Sequence, residues 1–72
     1  MVRVEATKLG LVLHPDEGGA ADLATGDRVV DALEAYGAPY HHAVRRGRWV
    51  IRVPIDGLAA PVRAAVMDAL ED

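Results

Sequence analysis

Residues 40–53 read YHHAVRRGRWVIRV and predict a β-hairpin that closes around Arg46-Gly47. A loop of two residues and a loop of four residues give the same register, in which Val44 faces Trp49. Side chains alternate across each strand, so the hairpin has two different faces. The apolar face consists of Tyr40, His42, Val44, Trp49, Ile51 and Val53. The basic face consists of His41, Ala43, Arg45, Arg48, Val50 and Arg52. We therefore expect the apolar face in the core, with Trp49 as its largest side chain.

The size of the chain limits how large that core can be. The sequence has 72 residues and no cysteine, so we expect residues 1–72 to form one domain without a disulfide. Hydrophobic residues make up 51% of the chain, but many of them are alanine, and phenylalanine is absent. Alanine buries little apolar area, so the core should be thin, which favours association with a partner.

Charge and composition indicate where the protein works. The net charge of −3 argues against general binding of polyanions, which requires a positive field. The N-terminal segment carries Arg3, Glu5 and Lys8 and lacks an apolar run long enough for a signal peptide or a membrane span. We expect a cytoplasmic protein with no membrane contact. Arginine far outnumbers lysine and alanine is abundant, which is typical of a bacterial genome of high GC content.

The N-terminal segment 2–14 alternates in hydrophobicity, but the alternation shifts by one residue. Val2, Val4 and Ala6 have one parity, whereas the leucines at 9, 11 and 13 have the other. Such a shift exchanges the two faces of a strand, and a β-bulge near Thr7-Lys8 would produce it. We predict one long bent strand. Two short strands are the alternative, although no typical turn residue lies at the break.

The rest of the chain predicts a loop at 15–26 and two helices. The first helix has Val29, Val30, Leu33 and Tyr36 on one face and stops at Gly37. Thr25 or Asp27 caps its start, or it begins as early as Asp22. The second follows Asp56-Gly57, starts at Pro61 and buries Leu58, Val62, Ala65, Val66, Ala69 and Leu70. The predicted fold is α+β in the order β-α-β-β-α, a three-stranded mixed sheet with both helices on one face. This order resembles the split β-α-β architecture of ferredoxin-like and ACT-like domains without the last strand.

The basic stripe is the strongest candidate for a functional surface. It consists of His41, Arg45, Arg46, Arg48 and Arg52. Arginine binds carboxylates and phosphates through its planar guanidinium, so the stripe predicts a partner or an anion. A solvated, solubilising face is the simpler interpretation. Single-stranded nucleic acid is disfavoured, because the aromatic residues needed for stacking belong to the opposite face.

Catalytic and metal-binding patterns are missing from the sequence. Serine and cysteine are absent, and Thr7 and Thr25 have no evident base nearby. His41 and His42 point to opposite faces of a strand and cannot chelate one ion together. We expect neither a catalytic residue nor a metal site nor a cofactor.

These observations predict a non-enzymatic interaction or assembly module, either homo-oligomeric or accessory to a larger bacterial protein. We predict a homodimer that uses Val2, Val4 and Ala6, because the first strand is too long for the hairpin that it accompanies. One alternative is a small regulatory domain that binds an anionic ligand or a nucleic-acid phosphate at the basic hairpin face. A small enzyme that uses His14, His41 or His42 as a base is a more distant alternative.

Overall fold

The computed structural model describes residues 2–15, 19–45 and 48–71. Its elements are β1 (Val2–Thr7), β2 (Gly10–Pro15), α1 (Ala20–Ala35), β3 (His41–Arg45), β4 (Arg48–Pro54), a short 3-10 helix (Ile55–Gly57) and α2 (Ala60–Glu71). The strands form one sheet in the order β1-β2-β4-β3. The α+β class is confirmed, but the sheet has four strands rather than three, and its neighbouring strands are all antiparallel rather than mixed.

The extra strand comes from the N-terminal segment, which forms a hairpin and not one bent strand. A two-residue turn at Lys8 and Leu9 joins β1 to β2, with Thr7 opposite Gly10. Thr7 supplies the turn chemistry: its Oγ1 accepts a hydrogen bond from the Leu9 N–H and donates one to the Gly10 carbonyl oxygen. The register places Val4 opposite Leu13, so the shift in alternation between the two halves is a consequence of the hairpin.

The strands β2 and β3 run in the same direction, as the predicted β-α-β order requires. The strand β4 lies between them and is antiparallel to both, so no parallel pair is adjacent. The predicted register of the 40–53 hairpin is confirmed, with Val44 opposite Trp49 and His42 opposite Ile51. Its closing residues, Arg46 and Gly47, lie outside the described residues.

The core lies between the two central strands and the helices. Its buried hydrophobic residues are Leu11, Leu13, Val29, Leu33, Trp49, Ile51, Val53, Val62 and Val66. The predicted burial of Trp49 is confirmed, since only 5% of it is exposed. In α2, the predicted burial is confirmed for Val62 and Val66. Leu58, just before the helix, and Ala69 and Leu70 are partly buried against the core, and Ala65 is only half-buried.

The first helix begins at Ala20, earlier than both predicted starts, so the predicted loop at 15–26 is wrong from residue 20 onward. Its buried residues are Asp22, Gly26, Val29 and Leu33, which share one helix face. Gly26 lies inside the helix because the Trp49 indole packs against the backbone there. A Cβ atom at Gly26 would lie 2.9 Å from Trp49 Cε2, closer than carbon atoms pack. The contact offsets the poor helix propensity of glycine.

The end of α1 agrees with the sequence. Gly37 adopts a left-handed conformation with φ 62°. Its N–H donates to the Glu34 carbonyl oxygen, and the Ala38 N–H donates to that of Leu33 at 2.9 Å. These two bonds form a Schellman motif. Because the motif depends on local sequence, this boundary was predictable.

The expectation that the apolar face of β3 lies in the core is wrong. Val44 is 70% exposed and His42 is exposed, although both lie on the face toward the helices. Tyr40 is only half-buried. With β1 added, the sheet is four strands wide, and the buried residues fall on β2 and β4. The helix layer therefore covers the centre of the sheet and leaves the edge strand β3 uncovered. In the described part of the chain, neither helix is long and apolar enough to cross a bilayer.

Candidate interaction surfaces: the open sheet face and its edge

The open face is the side of the sheet away from the helices. The strand registers assign it the following residues: Arg3, Glu5 and Thr7 of β1, Gly10, Val12 and His14 of β2, His41, Ala43 and Arg45 of β3, and Arg48, Val50, Arg52 and Pro54 of β4. Its described side chains are all exposed or half-buried. Antiparallel sheets commonly expose one face in this way.

The predicted basic stripe lies on this face but is not continuous. His41 is directly opposite Arg52, and Arg45 is directly opposite Arg48. Between these two pairs lie Ala43 and Val50, so the basic pairs are separated by about 13 Å along the strands. Arg48 and Arg52 are exposed, as predicted. Of Arg45 only the backbone is described, and the remaining residue of the stripe, Arg46, lies outside the described residues.

Most of the described acidic residues lie in the helices, and the open face of the sheet carries mostly basic residues. Arg3 on β1 adds a further positive charge to the open face, which sequence reasoning did not connect with the stripe. Within residues 2–15, 19–45 and 48–71, Glu5 is the one acidic residue of that face. The other described acidic residues are Asp22, Asp27, Asp31, Glu34, Asp56, Asp68 and Glu71, all in helical elements. The open face is therefore locally basic although the chain as a whole is acidic.

Glu5 is held by a cross-strand contact. Its Oε1 lies 3.3 Å from Nε2 of His14, and both side chains are accessible to solvent. An exposed pair of this kind contributes at most about 1 kcal/mol to stability. Its main effect is to orient the Glu5 carboxylate on the open face.

A cleft of about 490 Å³ opens at one end of the sheet, next to the Lys8-Leu9 turn. Lys8, His41 and Arg52 line it with basic groups, and Leu9 and Pro54 are among its apolar residues. Leu9 is 82% exposed, unusually high for a leucine. Sequence reasoning missed Lys8, Leu9 and Pro54, because their proximity depends on the hairpin that it did not predict. The cleft brings together only the His41-Arg52 end of the basic stripe.

The strand β1 forms one edge of the sheet, and alternate residues of it turn their backbone groups outward. The Leu9 carbonyl oxygen accepts a hydrogen bond from the Ile55 N–H at 2.8 Å. The odd-numbered residues of β2 therefore direct their N–H and C=O groups toward β4. Even-numbered residues of β2 therefore bond to their partners on β1, which are Arg3, Glu5 and Thr7. It follows that Val2, Val4 and Ala6, the predicted interface residues, direct their N–H and C=O groups to the open edge.

One tyrosine has a perturbed ionisation. The Tyr40 hydroxyl donates a 2.7 Å hydrogen bond to Oε1 of Glu34. This bond, assisted by partial burial and by the negative charge of Glu34, raises the pKa of Tyr40 above its ordinary value of 10.0. The pair lies between α1 and the start of β3 and stabilises that connection below this pH.

The remaining titratable groups do not converge. In the described ranges, no three histidine, aspartate or glutamate side chains form a group that could hold a metal ion. The histidines at 41 and 42 lie on opposite sheet faces, as the alternation requires. Comparisons of this chain with known protein families, with curated proteins and with solved structures found no match.

Proposed function

We propose that this chain is a non-enzymatic assembly module that forms a homodimer through the outer edge of β1. The observation that carries the proposal is the open edge of β1, a regular strand at one end of the sheet. We infer that this edge can pair with a second copy of itself without a charge clash. An unprotected edge strand is a template for strand addition. Antiparallel pairing about a two-fold axis is the symmetric way to use it.

The backbone of β1 suits this pairing. Val2–Thr7 is a regular strand without proline, and the N–H and C=O groups of Val2, Val4 and Ala6 face outward. A second β1 strand would satisfy these groups and extend the sheet across the dimer. An axis perpendicular to the sheet keeps the helices of both copies on the same side.

The side chains select one register. With the axis through Val4, Arg3 lies opposite the partner's Glu5, and the same pair forms again on the other side of the axis. These are non-hydrogen-bonded positions, where side chains approach most closely. The adjacent symmetric registers are centred on Arg3 or on Glu5, and each places two like charges opposite each other.

Existing contacts of the two charged residues are compatible with this pairing. Glu5 already contacts His14, and Arg3 already takes part in another interaction. A carboxylate has two oxygens and a guanidinium has five N–H donors, so each can serve more than one partner.

The apolar side of β1 supports the same partner. Val4 is 38% exposed and Ala6 is exposed, on the face that carries the helices. In the proposed register Val4 packs beside the partner's Val4, so the dimer adds apolar burial to a small core.

The other edge of the sheet is a poorer candidate. The strand β3 carries His41 and Arg45 and no acidic residue. No pairing of two β3 edges can place an arginine opposite an acidic residue, and basic residues on an edge are a known protection against pairing. This contrast favours β1.

A charge-reversal experiment tests the proposal. Sedimentation of the full chain at micromolar concentration should give a dimer, and Glu5→Arg should give a monomer, because each Arg3 then faces an arginine. The double variant Arg3→Glu/Glu5→Arg restores opposite charges and should restore the dimer. Glu71→Arg makes the same change of charge on α2 and should leave the dimer intact. A monomeric wild-type protein would refute the proposal, as would a double variant that stays monomeric.

A pair of proline variants tests the backbone contacts separately. Val4→Pro removes an outward N–H and should give a folded monomer. Glu5→Pro removes an N–H that bonds to β2 and should disrupt the hairpin itself. If Val4→Pro remains a dimer, the interface is not the β1 edge.

The topology also supports a likeness to the ferredoxin-like and ACT-like architecture. The strands β2 and β3 are connected through α1 and have β4 between them, which is a split β-α-β unit. On this proposal β1 provides the fourth strand from the N-terminal side, beside β2.

A further inference from the structure

We propose that the cleft beside the Lys8-Leu9 turn binds a small carboxylic acid with an apolar chain. The proposal concerns the interior of the open face and does not depend on the dimer. It rests on the shape of the cleft, on basic groups around it that have no partner among the described residues, and on its apolar surface.

The strand registers form the cleft from two adjacent rows of residues. Gly10 lies between Thr7 and Pro54 in one row, and Val12 lies beside Arg52 in the next. Gly10 has no side chain, so only main chain lies between its larger neighbours in this row, and the position that a Cβ would take is occupied by the Val53 carbonyl oxygen. The volume of about 490 Å³ falls within the range of small-molecule sites, roughly 300–1,000 Å³.

The basic groups of the cleft have unused donors. In the described part of the chain, no hydrogen bond or ion pair engages the side chains of Lys8, His41 or Arg52. Arg52 and His41 are opposite each other on neighbouring strands, so their Cβ atoms lie about 5 Å apart. The guanidinium of Arg52 can hold a carboxylate through two parallel hydrogen bonds, and the ring N–H of His41 can add another donor.

The apolar residues require more than an inorganic anion. Leu9, Val12 and Pro54 line the cleft together with the basic groups, and Leu9 is mostly exposed to solvent. A ligand with a hydrocarbon chain removes this surface from water, at roughly 25 cal/mol for each Å². A carboxylate on such a chain satisfies both parts of the cleft.

Titration of the full chain with octanoate, followed by amide NMR, tests this proposal. Octanoate should shift the amides around Gly10, Val12 and Arg52. Acetate lacks the chain and octanol lacks the charge, so both should bind about tenfold more weakly or worse. Equal shifts with inorganic phosphate would overturn the proposal, because the apolar part would then have no role.

Two variants and a control locate the site. Arg52→Gln should weaken octanoate binding about tenfold. Leu9→Ser should weaken it several-fold, since Leu9 contributes to the sheet through its backbone and the fold is retained. Arg48→Gln removes the same charge from the far end of the open face and should leave binding unchanged. Equal weakening by Arg48→Gln would indicate general attraction of anions and would refute a site at the cleft, as would the absence of any shift with octanoate.

Discussion

Replacing Gly26 by alanine tests the contact between α1 and Trp49, because two effects predict opposite signs. Helix propensity alone predicts that alanine stabilises an interior helix position by about 1 kcal/mol. The structure predicts a steric conflict, since the new Cβ would lie 2.9 Å from Trp49 Cε2 and 3.0 Å from Cζ2. The indole is buried and cannot move aside into solvent.

Comparison of the two effects gives the expected magnitude. Overpacking in a core costs typically 1–3 kcal/mol, which exceeds or cancels the gain from propensity. Gly26→Ala should therefore leave stability unchanged or lower it by up to about 2 kcal/mol. For a domain of this size, 1 kcal/mol corresponds to a change in Tm of roughly 4–8 °C.

Urea and thermal unfolding followed by far-UV circular dichroism measure this change. Ala24→Gly, at an exposed position of the same helix, calibrates the propensity effect and should cost about 1 kcal/mol. In a Trp49→Phe background the fused ring is absent, so Gly26→Ala should become stabilising. A clear rise of Tm on Gly26→Ala in the wild-type background would show that the contact does not constrain the helix.

Three further experiments test other parts of the fold. Gly10→Ala should abolish folding or cost more than 3 kcal/mol, because its φ is 142° and its Cβ would overlap a backbone oxygen. Gly37→Ala has free space around its Cβ and should cost only about 1–2 kcal/mol. The denaturant midpoints of the two variants measure this difference. Tyr40 should titrate above pH 10.0, and Glu34→Ala should lower the pKa of Tyr40; ultraviolet absorbance follows both titrations. The hydrogen bond from Tyr40 to Glu34 contributes to stability below pH 10.0, and this contribution is lost as pH rises through the pKa of the folded state. Trp49→Ala should cost roughly 3–5 kcal/mol, enough to unfold a domain this small. A native protein whose tryptophan fluorescence emission is red-shifted would contradict the burial of Trp49.

The local parts of the fold were determined by the sequence. The register of the 40–53 hairpin follows from alternation and loop length, so the pairing of Val44 with Trp49 was predictable. The end of α1 follows from Gly37, whose conformation allows the Schellman motif. The periodicity of α2 predicted its buried valines. Each of these features depends on residues that are close together in the chain.

The tertiary structure decided how these parts combine. The shift of alternation near Thr7 was visible in the sequence, but a bulge and a hairpin both explain it. The structure shows the hairpin, whose turn is stabilised by hydrogen bonds of the Thr7 hydroxyl. That hairpin added a fourth strand, so Val44 lies on an uncovered edge in spite of its apolar pattern. The sequence indicated a helix boundary at Gly26, but Gly26 lies inside the helix because Trp49, which is distant in sequence, packs against it. The cleft likewise joins Lys8 to Arg52 across three strands, because sheet order depends on how the helices and strands pack together and not on any single segment.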